Sequence, residues 1–265
     1  MSASIVVCGS GIVGLSAALA FARKGEPVTL VGPRPVLQPL AQDEFHPRVY
    51  ALSPASQRFL SSIGVWDLMD ARRLTSVQAM EIHGDGNGLL HLNAWQSAQS
   101  ELAWIVESSE IERVLVQAAQ VMGLQWVTEK FQSYTPGSLV TDRGTTLSAE
   151  LFIAADGAQS PLRSAAGLEV ESRAYGATAL VAHFTCAVPH QGTAVQWFSS
   201  DGVLALLPMP DTMQGPQVSM VWSLKEAIAD ELLALSPEQR ASALQTRLAA
   251  ATAGRLGALT LRGTV

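Results

Sequence analysis

Ile5-Val6-Val7-Cys8 is an unbroken apolar run, the pattern of a short strand covered on both faces. The stretch 12–24, rich in Ala and Leu, reads as a helix, and Gly25 stands where a left-handed cap would end it. Val28-Thr29-Leu30-Val31 is a second run of the first kind. Two buried strands with a helix between them imply a parallel pair joined by a crossover. Ser53-Pro54 opens another helix, with Ser as N-cap, Pro at the first position and Gly64 as the stop. Within 109–122, Ile111, Leu115, Ala118 and Met122 share one face, and Gly123 closes the helix. Residues 124–127 and 151–155 read as further buried strands.

Near Thr178 the period changes. Segments 179–188, 194–198, 203–207 and 218–223 are strand-like and separated by turn residues, as in an antiparallel sheet. Ser236-Pro237-Glu238-Gln239 is a capping box, and Ala241, Leu244 and Leu248 line one side of the helix it starts. The first half is therefore α/β in character. The part after Gly167 is mostly antiparallel sheet with terminal helices.

Composition narrows the class. At 265 residues, 48% apolar and 15% charged, with mean hydropathy +0.22, the chain is neither disordered nor a coiled coil. A net charge of −6 and a pI near 5.4 leave no electrostatic footprint for nucleic acid. Two cysteines, Cys8 and Cys186, are too few for a disulfide framework or a zinc site, so the expected setting is a reduced, cytoplasmic one. The uncharged stretches 1–22 and 174–200 are interrupted, the first by Gly9, Gly11 and Gly14, the second by Pro189, Gln191 and Gly192. Neither reads as a membrane span.

Those first glycines carry the chemistry. Gly9-Ser10-Gly11-Ile12-Val13-Gly14 matches G-x-G-x-x-G between a strand and a helix, the context that makes this pattern a dinucleotide signal. Gly9 permits the tight turn, Gly11 lets backbone approach a pyrophosphate, and Gly14 lets the helix pack closely. The second strand ends in Gly32, where an acid normally binds the ribose, and no carboxylate follows until Asp43 and Glu44. Arg34 is then either a solvated loop residue or a partner for a 2′-phosphate. Asp156 follows the 151–155 strand and so emerges at a carboxyl end, where ligands of open α/β sheets bind. Gly157 allows backbone approach, and Arg163 is placed to pair with phosphate or with Asp156. His83, His91, His183 and His190 lack a metal-ligand spacing and read as packing or surface residues. Trp197 and Trp222 read as core, with an apolar substrate slot as the alternative.

Several segments resemble the flavin-dependent aromatic hydroxylases, most closely the branch that hydroxylates polyprenylated phenols in ubiquinone biosynthesis. They are Arg48-Val49-Tyr50-Ala51-Leu52-Ser53, Gly64-Val65-Trp66-Asp67, Trp104-Ile105-Val106-Glu107 and Asp156-Gly157-Ala158-Gln159-Ser160-Pro161-Leu162-Arg163. Leu206-Leu207-Pro208-Met209-Pro210 and Val221-Trp222-Ser223 also resemble strand ends of that branch's substrate sheet.

The resemblance implies an α/β fold. A Rossmann-like FAD/NAD(P)-binding domain with a parallel sheet would occupy 1–78 and 104–168. An antiparallel β-sheet substrate domain would occupy 79–103 and 169–265. Gly9, Gly11, Gly14, Asp156 and Gly157 would hold FAD, with Arg48 near the flavin end. The glycine turn and Asp156 would grip opposite ends of one coenzyme. NAD(P)H would serve as reductant, dioxygen as oxidant and a small prenylated aromatic as substrate. The setting would be cytoplasmic, with room for association at the periphery of the inner membrane or in a biosynthetic complex. No residue is singled out as catalytic, and no metal is implied. Two departures stand out besides Gly32. Glu112 replaces a Gln, and the sequence stops before the Gly-Asp motif that closes the family's site. The expectation is therefore a truncated product or divergent short form that binds FAD weakly or not at all. An NADP-linked oxidoreductase without flavin and a non-catalytic scaffold stay open as alternatives.

Overall fold

A computed structural model of the chain describes residues 5–37, 41, 43–86 and 88–263. It divides into two compact units. The first comprises Met1–Gln38, Gln57–Met69 and Ser109–Ser172, the second Pro39–Ser56, Asp70–Ser108 and Arg173–Val265.

In chain order the elements begin with β1 (Ile5–Cys8), α1 (Ile12–Ala22), β2 (Val28–Val31), β3 (Val49–Leu52) and α2 (Pro54–Ser62). Next come β4 (Leu74–Val77), β5 (Ala79–His83), β6 (Leu89–Asn93), β7 (Ala103–Glu107) and α3 (Ser108–Val121). Then follow β8 (Gln125–Val127), β9 (Phe131–Thr135), β10 (Ser138–Thr141), β11 (Thr146–Ser148), β12 (Leu151–Ala154) and α4 (Pro161–Ala165). The last are β13 (Ala177–Cys186), β14 (Thr193–Ser199), β15 (Gly202–Thr212), β16 (Gly215–Lys225), α5 (Glu226–Leu233), α6 (Pro237–Thr252) and β17 (Leu259–Arg262).

The first unit is built on a parallel sheet of order β12-β1-β2-β8. β1 and β2 are buried along their whole length, which is why they read as unbroken apolar runs. Val6, Cys8 and Val31 share a core with Leu139 and Leu147 of a small antiparallel sheet, β11-β10-β9, and with Leu162 of α4. That small sheet has no counterpart in the sequence reading. Its strands are three to five residues long and half-polar, so they carry little periodic signal.

The second unit holds a seven-stranded sheet of order β17-β13-β16-β15-β14-β5-β6 and a three-stranded sheet, β3-β7-β4. All pairs in the large sheet are antiparallel except β14 with β5. Phe184, Leu206, Met220 and Trp222 meet Leu244 and Leu248 of α6 in one buried cluster. Each fully buried leucine there contributes roughly 1.5–3 kcal/mol of transfer free energy. The predicted capping box at Ser236 and Gln239 is present. The predicted strand 203–207 runs on to Thr212 through Pro208 and Pro210. Both prolines lie past Leu206, the last β15 residue in register with β14. Pro208 still stands opposite Val218 of β16, and Pro210 falls in the register shift between Met209 and Thr212, the one-sided and bulged settings in which strands accept proline.

The units divide the chain differently from the expected boundaries. Residues 39–56, 70–78 and 104–108 group with the second unit. The physical reason is strand pairing, since β3 and β4 both pair with β7. No helix among the described residues is long and apolar enough to cross a membrane.

Candidate functional site

At the carboxyl end of the parallel sheet, four neighbouring strand ends are tied by three backbone bonds. Gly9 N–H donates to Val31 O (2.8 Å), Gly32 N–H to Val127 O (3.0 Å) and Ala155 N–H to Cys8 O (2.7 Å). Gly9 adopts φ +111°, and a Cβ there would lie 2.1 Å from Ala155 O. A Cβ on Gly14 would lie 1.8 Å from Gly9 O, so α1 starts against bare backbone. Gly11 is the opposite case: a Cβ there would meet nothing within 4 Å. Gly9 makes a tight turn and Gly14 a close approach of backbone to backbone, while the space in front of Gly11 is open.

Gly9 and Gly11 line a cavity of about 520 Å³, with Gly32, Pro33, Lys130, Phe131, Asp156 and Gly157 also in its wall. α1 has no side-chain cap at Gly11 and no acid in its first turn. Its free N–H groups and positive dipole end therefore suit an anion. The cavity has room, free donors and no side chain in front of Gly11. It fits the diphosphate of a dinucleotide.

The missing ribose acid has a steric reason. Gly32 adopts φ +147°, and a Cβ on it would lie 2.7 Å from the Ser10 hydroxyl. Ser10 in turn donates to Pro33 O, and the Trp126 indole donates to Gly32 O at 2.8 Å. The Arg34 guanidinium lies over Trp126, 4.6 Å from the ring centroid. It is exposed but stacked, rather than free in solvent.

Asp156 does not stand across a ligand from the glycine turn. It is the turn's neighbour, since its backbone nitrogen would be 2.7 Å from a Cβ on Gly9. Its carboxylate accepts from the Ser160 hydroxyl and from Leu162 N–H (3.1 Å), organising the start of α4. Arg163 donates to Ala158 O at 2.8 Å. Beside them, burial first and the Asp156 charge second push the Cys8 thiol up to about 12. That thiol is inert at neutral pH.

Arg48 belongs to the second unit, at the end of an irregular segment before β3. It is exposed, and among the described residues its guanidinium makes no hydrogen bond or ion pair. The segment around it is heavily tied. Glu107, 1% exposed at the end of β7, accepts from Arg73 Nη1 (2.6 Å) and from His46 N–H (2.5 Å). Arg73 also donates to Glu44 O and Ala41 O. His183 Nε2 donates to His46 O at 3.0 Å, and burial holds its imidazole below the usual range. A second cavity of about 550 Å³ lies beside this segment, lined by Asp43, Phe45, Arg73 and Asp211 among others.

The remaining candidates are structural. Trp222 is buried in the large core, and Trp197 packs against it while stacking on His83 at 5.3 Å. His190 accepts from Gly192 N–H and contacts Met209 O. Glu112 is half-buried on α3. Sequence reasoning missed Ser10 and Trp126 beside the turn, and Arg73, His46 and Glu107 in the second unit. Glu107 lay inside a quoted motif, but nothing in the pattern marked it as buried.

The chain matches the model of one protein family, described as FAD binding domain, over residues 2–255. It is 30% identical over 252 residues to a ubiquinone hydroxylase of Rhodospirillum rubrum, covering 92% of this chain and 57% of that protein. To the 3-demethoxyubiquinol 3-hydroxylase of Escherichia coli it is 27% identical, covering 97% and 65%. The chain thus spans between half and two thirds of the length of these relatives. Among solved structures, P. aeruginosa PqsL in complex with 2-aminobenzoylacetate shares the fold with a TM-score of 0.74 and 19% identity, covering 99% of this chain and 74% of that one. A 2-methyl-3-hydroxypyridine-5-carboxylic acid oxygenase does so with a TM-score of 0.72 and 17% identity, covering 98% and 70%.

Proposed function

Since this chain belongs to the FAD binding domain family, we propose that it is the FAD-holding part of an aromatic-ring hydroxylase whose substrate is a prenylated phenol of ubiquinone biosynthesis. The names of its ubiquinone hydroxylase relatives support the substrate class. Bound FAD, reduced by NAD(P)H, supplies the activation of dioxygen for insertion of one oxygen atom into the ring.

The chain's own contribution is to bind and orient. The free N–H groups at the start of α1 receive the diphosphate, with Gly11 giving access. Gly9 and Gly14 hold the turn against β12 and α1. Asp156 shapes the Gly157 loop that lines the same cavity. Arg48 keeps the cofactor role that the resemblance gives it. A prenylated substrate partitions into bilayers, so the reading extends to work at a membrane surface or within a biosynthetic complex, in the cytoplasm.

One observation carries this reading. The G-x-G-x-x-G turn and the Asp-Gly segment, far apart in sequence, wall one cavity with unclaimed backbone donors. The test is to purify the full-length protein and measure flavin content, NAD(P)H oxidation and product mass under labelled dioxygen. The expected result is one flavin per chain and one labelled oxygen in a phenol product. A flavin-free protein that turns over NADPH, or one with neither flavin nor turnover, would overturn it.

A further inference from the structure

We infer that Glu107 is a positioning residue for Arg48, acting with Arg73 as a buried ion pair that pre-sets Ala41 and the segment 43–48. This rests on the cofactor role proposed above for Arg48. Among the described residues of this stretch none has a strand partner before Val49, so their peptide groups need other partners. Side chains distant in sequence supply them. Arg73 takes Ala41 O (2.9 Å) and Glu44 O (3.1 Å), and Arg262 takes Asp43 O (3.3 Å). Glu107 takes His46 N–H, and His183 takes His46 O. At Arg48 itself, the N–H donates to His46 Nδ1 (3.1 Å) and the carbonyl accepts from Ser108 N–H (2.9 Å).

The backbone of Arg48 is therefore fixed on both sides while its guanidinium is exposed and unpaired among the described residues. A cation presented from a fixed backbone loses less freedom on meeting a ligand than one on a mobile loop. Glu107 is the centre of the arrangement because both its oxygens act as acceptors for different partners. An amide of the same size accepts at one position only and turns a donor on the other. Charge and geometry, not bulk, are what the site needs from this side chain.

The test is a double-mutant cycle in the full-length protein, reading the FAD dissociation constant by flavin fluorescence, with the melting temperature of flavin-free protein recorded alongside. Arg48→Ala and Glu107→Gln are each expected to weaken FAD binding by about tenfold, the scale of one charge-assisted contact. The double variant is expected to lose about the same tenfold rather than the product of the two, because both changes remove one contact. Glu107→Asp, which keeps the charge, should recover part of the loss. Multiplicative losses in the double variant, or a Glu107→Gln that lowers only the melting temperature, would overturn the inference. An Arg48→Ala that leaves FAD affinity intact would instead sink the role proposed for Arg48. Should Glu107→Gln not fold, Arg73→Lys in the same cycle serves, since lysine keeps the charge but cannot reach Glu107 and both carbonyls at once.

Discussion

Two irregular segments in this molecule are held in opposite ways. The Gly9–Gly14 turn of the first unit is fixed by the absence of side chains, with backbone resting on backbone at Ala155 and Gly9. Ala41 and segment 43–48 of the second unit are fixed by side chains arriving from β7, β13, β17 and the turn before β4. The first kind of restraint tolerates no added atoms at Gly9 or Gly14. The second tolerates no lost charge. Both leave an anion-seeking group exposed, free N–H donors in one case and a guanidinium in the other.

The largest expected effect comes from removing a charge in the second unit. Arg73→Met would leave Glu107 buried with His46 N–H as its remaining donor, a loss of about 3–5 kcal/mol in urea unfolding. A cost below about 1 kcal/mol would erase the contrast between the two segments.

In the first unit the sharp comparison is between two glycines three residues apart. Gly14→Ala places a methyl 1.8 Å from Gly9 O, with an expected cost of about 3 kcal/mol. Gly11→Ala meets nothing within 4 Å and should cost less than about 1 kcal/mol. Its effect should appear instead in nucleotide affinity, about tenfold weaker, or 1.4 kcal/mol. Equal stability losses at the two positions would mean the turn is not held by close packing. Gly32→Asp makes a related point. It restores the customary ribose acid, yet the positive φ at this position and the tight contact with Ser10 should together cost about 1–3 kcal/mol with no gain in affinity.

This difference also explains what was legible in the sequence. A restraint made by glycines is local, so G-x-G-x-x-G announced it, and the apolar runs of β1 and β2 announced its frame. Residues 124–127 and 151–155, read as buried strands, form β8 and β12 at the two edges of the sheet and are half-exposed there. The lacing of Ala41 and 43–48 joins His46, Arg73, Glu107, His183 and Arg262, and no spacing rule brings those positions together. Gly32 was readable only as a missing acid, because its collision with Ser10 depends on how two strand ends approach. Asp156 was found for the right place with the wrong geometry: it adjoins Gly9 rather than facing it, and its carboxylate is spent on α4. The β9–β11 sheet and β17 went unread because short, half-polar strands carry no clear period.

The smallest effect compares one thiol from each unit. Burial pushes Cys8 up to about 12 and Cys186 up to about 11, against 9.0 for an ordinary thiol. Above pH 9 the unfolded chain releases those protons while the folded chain keeps them, so stability falls as pH rises toward 11 and 12. Neither thiol should be alkylated in the native protein at neutral pH, and both should react once urea unfolds it.

The most direct measurement is an amide chemical-shift map of the labelled protein titrated with ADP, the part of the cofactor that carries the diphosphate. The account predicts saturable shifts confined to Gly9–Ile12, Gly32 and Ala155–Gly157, and their loss of affinity in Gly11→Ala. Shifts centred elsewhere, or none at all at saturating ADP, would contradict it.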